Sequence, residues 1–176
     1  MQHNQIIKKP TSGQYPSWAS SYINRIPEGE VLAYLETGLE LVIDYIENLT
    51  DEQLLYSYAE GKWTIKEVLI HLMDVERVFA YRGLTSARHD TTPLPGFDHS
   101  SYVLHSGVNQ RNKESLIAEY RTIRQSTIQL FSNMTEEALD FIGQSNGLPS
   151  TAKAMVYMIA GHERHHLQLF EERYQQ

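Results

Sequence analysis

From Glu28 onward, apolar residues recur along the chain in alternating steps of three and four. Leu32, Leu35, Leu39, Val42, Ile46 and Leu49 make the first such stripe, the spacing that gathers apolar side chains on one face of a helix. Thr50 stands where it can cap a short turn, TDEQL. A second helix is predicted to open at Trp63-Thr64, with Thr64 as N-cap and Glu67 completing a capping box. Its apolar face is Ile65, Val68, Leu69, Leu72, Val75 and Phe79. A third stripe runs through Leu116, Tyr120, Ile123, Thr127, Leu130 and Met134. The fourth helix is expected after Pro149, capped by Ser150, with Met155, Ile159, His162, His166 and Leu169 facing inward and Met158 as ordinary core. No segment shows the alternation of a strand.

Four stripes of helical period predict an all-α four-helix bundle over residues 28–176. Residues 1–27 mix Pro, Gly, Ser and aromatics and are expected to form an extended N-terminal arm, with Tyr15, Trp18 and Tyr22 packing back. The links are unequal. A long crossover, Asp90 to Asn112, joins the second helix to the third, and a loop of that length is usually functional or internally structured. It also frees the bundle from simple up-down-up-down order.

Composition narrows the chemistry. At 176 residues one domain suffices. A net charge of −7 gives no basic face for nucleic acid. No apolar run reaches membrane-spanning length and the N-terminus lacks a signal-peptide core, so a cytoplasmic protein is expected. With no cysteine, any metal site must use histidines and carboxylates.

The histidines lie where polar rings are costly. His162 and His166 are four residues apart, about 40° around the helix and about 6 Å along it, and both fall on the apolar stripe. That spacing lets two imidazoles converge on one ion. His71 shares a face with Val68, Val75 and Val78 on the second helix. A single inward histidine is commonly a satisfied core residue. Three of them, on two long helices of one bundle, make a three-ligand site with open positions. His165 is expected beside the site or in solvent. His99 and His105, with Asp98, Tyr102 and Asn109, are candidates for the site mouth, with a solvated loop as the equal alternative. His3 sits in a tail.

His162 to His166 also spells H-E-x-x-H, the zinc-protease pattern. The metzincin form needs a glycine three residues after the second histidine and another histidine three beyond; here those positions hold Leu169 and Glu172. Other zincins take a glutamate from a later helix, and only ten residues follow His166. With no edge strand to hold a peptide, the protease reading is disfavoured.

WTIKEVLIHLMDVE, whose histidine is His71, and AGHERHHLQL resemble the two signatures of the DinB-like superfamily. The resemblance spans about residues 30–173. It implies a four-helix bundle with a three-His metal site, carried by position onto His71, His162 and His166, the set that spacing also gives. It implies a divalent ion such as zinc or nickel. It further implies either metal-dependent hydrolysis or transfer and isomerisation with low-molecular-weight thiols such as bacillithiol, mycothiol or glutathione. The family name records induction by DNA damage, and no general-base role for Glu163 follows from it.

The expectation is therefore a divalent-metal-dependent enzyme for a small molecule: a low-molecular-weight-thiol S-transferase, slightly favoured on family analogy, or a hydrolase. Asp98, Tyr102 or His105 could complete its site. The alternative is a non-catalytic metal-binding or stress-response bundle. The expected partners are the small-molecule substrate, with no nucleic acid and no membrane; self-association as a homodimer is left open.

Overall fold

The computed structural model describes residues 6–174, so His3 lies outside the described residues. Four long helices dominate: α2 (Val31–Glu47), α3 (Ile65–Ala87), α5 (Lys113–Ser132) and α7 (Ala152–Arg173), of 17, 23, 20 and 22 residues. Three of them begin at a side-chain cap. Thr64 Oγ1 accepts from the Glu67 N–H at 3.1 Å while a Glu67 oxygen accepts from the Thr64 N–H at 2.8 Å, the capping box read from the sequence. Asn112 caps α5 and Thr151 caps α7. Each such cap stabilises its helix by about 1 kcal/mol.

The helix order is not that of a simple meander. Both α2 and α3 pack against α5 and α7, which leaves α2 and α3, consecutive in the chain, on opposite corners of the bundle. The long links before and after α3 permit this. The core is split in two along the bundle axis. One cluster includes Leu35, Phe79, Phe131 and Met155. The other includes Val42, Leu69, Leu116 and Phe170. Burying a side chain of this size stabilises the fold by about 1.5–3 kcal/mol. On α2, α5 and α7 the break between clusters falls at Gly38, Arg124 and Glu163, and on α3 it falls just before Val75 and Glu76, so that Glu76, Arg124 and Glu163 make this level polar.

The arm differs from the extended segment expected. Ser17–Ala19 form a 3₁₀ turn and Ser20–Ile23 form α1, which packs on α7. Its buried anchors are Ile7, Ala19, Ile23 and Ile26, whereas Trp18 is 53% exposed. Tyr157 Oη ties both ends of the arm, donating to the Ile7 carbonyl at 2.9 Å and accepting from the Gly29 N–H at 3.0 Å. A Cβ at Gly161 would sit 2.1 Å from the Tyr22 carbonyl oxygen. Only a glycine lets α1 lie this close to α7.

The crossover carries α4 (His99–His105), and a short α6 (Glu136–Asp140) precedes a small hairpin, β1 (Gly143–Ser145) and β2 (Leu148–Ser150). The strands pair antiparallel, Gly143 with Ser150 and Ser145 with Leu148. Asn146-Gly147 turns between them with both φ positive, 54° and 72°. No strand was expected, because three-residue strands are too short to show alternation. Ser150 closes the hairpin, so the α7 cap falls one residue later, on Thr151. Leu169 is only half-buried; Leu167 and Phe170 take the core positions.

Candidate metal centre

His71 on α3 and His162 and His166 on α7 meet at the polar level of the bundle, at its α3–α7 seam. His71 Nε2 is 3.0 Å from His162 Nε2, which is 3.2 Å from His166 Nε2. One ligand-capable nitrogen from each lies within 4.8 Å of the others. An imidazole nitrogen either donates one proton or presents one lone pair. His162 Nε2 faces two such nitrogens at once, so no placement of protons gives every contact a proper hydrogen bond. A cation at the centre would satisfy all three. Tetrahedral zinc, with Zn–N about 2.0–2.1 Å, holds ligand nitrogens about 3.3 Å apart, close to the 3.0 and 3.2 Å of the two pairs that share His162 Nε2.

The electrostatics agree with this donor set. Burial, then the neighbouring His99, pulls the His71 pKa down to about 4. Burial, followed by His71 and His165, brings His166 to about 3. Burial, reinforced by His166 and His71, holds His162 well below the ordinary imidazole range. All three rings are neutral at physiological pH, the form that binds metal. His166 Nδ1 is buried and has no hydrogen-bond partner among the described residues.

A cavity of about 490 Å³ opens onto the three nitrogens. Trp63 lies against His71 with ring centroids 4.8 Å apart, and Tyr22 meets His162 edge-on at 5.4 Å. Trp18, Phe97, Arg82 and Asn146 continue the wall. Of the crossover candidates, only His99 reaches the cavity, 5.4 Å from the His71 ring. Asp98 instead caps α4, accepting from Ser100 and Ser101 N–H, and His105 Nδ1 is bound to the Ser101 carbonyl at 2.8 Å. Tyr102 packs on Phe97 outside the cavity, and Asn109 bridges Thr64 and Glu67 at the start of α3. His165 lines the cavity beside Tyr22, with its Nδ1 3.5 Å from Arg25.

Glu163, the glutamate of H-E-x-x-H, points away from the histidines. It meets Arg124 Nη2 at 2.5 Å and accepts from Tyr120 Oη. The same guanidinium pairs with Glu76 at 2.8 Å and donates to the Leu35 carbonyl at 2.8 Å. Burial works against the Arg124 charge, yet Glu163 and Glu76 together hold its pKa well above the usual guanidinium value. The polar level thus has two sides, an ion-pair cluster linking all four long helices and the histidines at the α3–α7 seam. The cluster and the walls Trp18, Tyr22, Trp63, Arg82 and Asn146 were not anticipated as site features. Inward charged positions can be read from helical phase, but their partners cannot.

Fold and site together define a four-helix bundle with a three-histidine pocket suited to a divalent ion. The chain belongs to the DinB superfamily, whose model matches residues 34–170. It is 33% identical over 141 residues to a protein of Oceanobacillus iheyensis named "Putative metal-dependent hydrolase OB0413", covering 78% of this chain and 80% of that one. Among solved structures it resembles YfiT from Bacillus subtilis, described as "a probable metal-dependent hydrolase with an unusual four-helix bundle topology". The TM-score is 0.72 at 18% identity, over 93% of this chain and 90% of YfiT. The mycothiol-dependent maleylpyruvate isomerase superposes with a TM-score of 0.67 at 13% identity, over 83% of this chain and 61% of the isomerase. At these identities the two structures establish the shared fold. Among the described residues no helix is long and apolar enough to cross a membrane.

Proposed function

We propose that this protein is a divalent-metal-dependent enzyme acting on a small molecule, with His71, His162 and His166 holding zinc or nickel. The observation that carries the reading is the convergence of three buried Nε2 atoms that protons cannot satisfy together. The names of the Oceanobacillus relative and of YfiT support hydrolysis. The thiol-dependent isomerase that shares the fold supports transfer with a low-molecular-weight thiol, slightly the favoured chemistry here.

When bound, such an ion supplies Lewis acidity, lowering the pKa of a thiol or water so that a nucleophile exists near neutral pH. The chain's own residues do the rest. Three neutral imidazoles leave the ion its full charge. Trp63 and Tyr22 set aromatic walls against His71 and His162. His99 and His165 flank the cavity beside the three candidate ligands. Glu163 is committed to Arg124 and serves no such role.

The open cavity favours an enzyme over a bundle with a closed structural ion, which would need no 490 Å³ space beside it. Metal analysis of natively purified protein, followed by a screen of thiols and small electrophiles and of simple esters, tests the reading. About one ion per chain and metal-dependent turnover are expected. Protein free of metal as isolated, which also fails to take up zinc or nickel, would overturn it.

A further inference from the structure

The cavity beside the histidines holds no acidic group although the chain is acidic. The protein carries a net charge of −7, yet among the described residues that line the cavity there is no carboxylate, and Arg82 is the single arginine or lysine. Arg82 lies eleven residues after His71 on α3, three turns on and so on the same helix face. Val75 and Phe79 lie between them and also line the cavity.

The Arg82 guanidinium is held but not neutralised. Its carbon lies 5.9 Å from the Phe79 ring centroid and 5.6 Å from that of Phe97. Nη2 donates to the Pro95 carbonyl at 2.9 Å, which uses one of its five N–H donors on a neutral acceptor. No carboxylate pairs with it among the described residues, in contrast to Arg77, Arg111 and Arg124. Burial alone moves its pKa, downward, with no acidic neighbour to oppose it. A half-buried, stacked guanidinium with free donors and no counter-ion is complementary to an anion, which it can bind through charge-assisted, bidentate hydrogen bonds.

We infer that Arg82 is the anion anchor of this site, and that the substrate is an elongated small molecule carrying a carboxylate or similar anionic group at the end remote from the three histidines. The inference rests on the proposed function only for which end reacts; the anion anchor stands without it. Arg82 stands between Phe79 and Phe97, in the wall that this cavity shares with a smaller one lined by Arg77, Leu94 and Pro95. Eleven residues of helix rise put the Arg82 and His71 backbones about 16 Å apart, so anchor and histidines are separated by on the order of 10 Å, the span of roughly eight or nine bonded atoms. The aromatic walls Trp18, Trp63 and Phe97 suit an apolar or planar middle. Asn146, at the hairpin tip, adds a neutral carboxamide to the same wall. Its backbone N–H is fixed by the Leu94 carbonyl at 2.9 Å, which ties the hairpin to the crossover.

The test uses a built-in reporter, since both tryptophans of the chain, Trp18 and Trp63, line this cavity. Quenching of tryptophan fluorescence is titrated with 5-phenylpentanoate and with its uncharged primary amide, in the protein as purified and after chelator treatment. The carboxylate should bind about tenfold tighter than the amide or better, as one charge-assisted pair allows. That preference should fall to within about threefold in Arg82→Gln. It should be kept in part in Arg82→Lys, which retains the charge but not the planar fork and disturbs the Pro95 contact just as much. It should also survive chelation, because it belongs to Arg82 and not to an ion. A preference unchanged in Arg82→Gln, lost equally in Arg82→Lys, or abolished by chelator overturns the anchor. A preference that follows Arg82 in a protein that never binds zinc or nickel keeps the anchor and removes the metal reading, so the two failures are distinguishable.

Discussion

Glu163 and Arg124 meet at 2.5 Å in the centre of the bundle, one residue along the chain from the histidine whose Nε2 faces the other two. On a helix, consecutive residues diverge by about 100°, so His162 facing the α3–α7 seam necessarily turns Glu163 toward the interior. There, Gly38 leaves space for its carboxylate and Arg124 supplies the charge. The five letters H-E-x-x-H are thus shared with zinc proteases while the glutamate has a different task, holding helices together.

That assignment predicts how Glu163→Gln behaves. A catalytic base, when removed, costs about 10²–10⁴ in rate. Here the substitution should leave metal content unchanged and activity within a few-fold, while lowering stability by about 1–3 kcal/mol for a weakened buried contact. Arg124→Met should cost more, about 3–5 kcal/mol, because it strands two buried carboxylates. Urea denaturation beside metal analysis reads both. A Glu163→Gln protein of unchanged stability and collapsed activity would restore the catalytic reading. No cleavage of unfolded casein is expected from any of these proteins.

Gly38 offers a sharper check. A Cβ there would fall 1.7 Å from Glu163 Oε1. Alanine in a helix is ordinarily favoured over glycine by about 1 kcal/mol. In the native background Gly38→Ala should nevertheless destabilise, by about 1–3 kcal/mol of overpacking. In a Glu163→Ala background the clash is gone and the same change should be neutral or stabilising. Additive effects in this double-mutant cycle would mean that the two residues do not compete for one space.

These couplings mark the limit of what the sequence discloses. The three- and four-residue stripes locate all four long helices, and the capping box at Thr64 fixes the start of α3 to the residue. His71, His162 and His166 are legible because an imidazole on an apolar face, repeated at i and i+4, is hard to place otherwise. Arg124 was not legible. It occupies the inward phase between Tyr120 and Thr127, where a stripe drawn through Ile123 and Leu130 passes it by, and its place depends on Glu76 and Glu163, 48 and 39 residues away. The arm's true anchors, Ile7, Ile23 and Ile26, are too few and too far apart to make a periodic pattern. His99 could not be told from His105, since the choice depends on how the crossover folds.

The proposed ligand set predicts a pattern across four variants. His71→Ala, His162→Ala and His166→Ala should each lose most of the bound metal, while His165→Ala should keep it, since its ring packs on Tyr22 and His166 without joining the converging nitrogens. Chelation should lower the melting temperature, because a ligand held only by the folded state stabilises it by mass action, about 2.7 kcal/mol at a hundredfold excess over Kd. Stoichiometric metal in His71→Ala protein would exclude α3 from the site. A melting curve unmoved by chelator would show that the ion does not clamp α3 to α7.

The final prediction concerns acid. His71 and His166 have folded-state pKa values of about 4 and about 3, below the unfolded imidazole value of about 6.5. Between those limits the unfolded chain binds more protons than the folded one, so stability rises with pH across that window. The stabilisation from keeping these rings neutral is present above about pH 6.5 and is lost as pH falls toward 4 and then 3. Metal-free protein should therefore show denaturation midpoints that are level above about pH 7 and decline below about 6.5. Metal-loaded protein should decline too, and the ion should dissociate, because protons and metal compete for the same nitrogens. Replacing His71 and His166 together by leucine should make the metal-free profile markedly shallower over pH 4–6.5, leaving the share of His162, which burial also holds well below the ordinary imidazole range. If the slope in that window is undiminished in the double variant, these two rings are not held neutral by the fold.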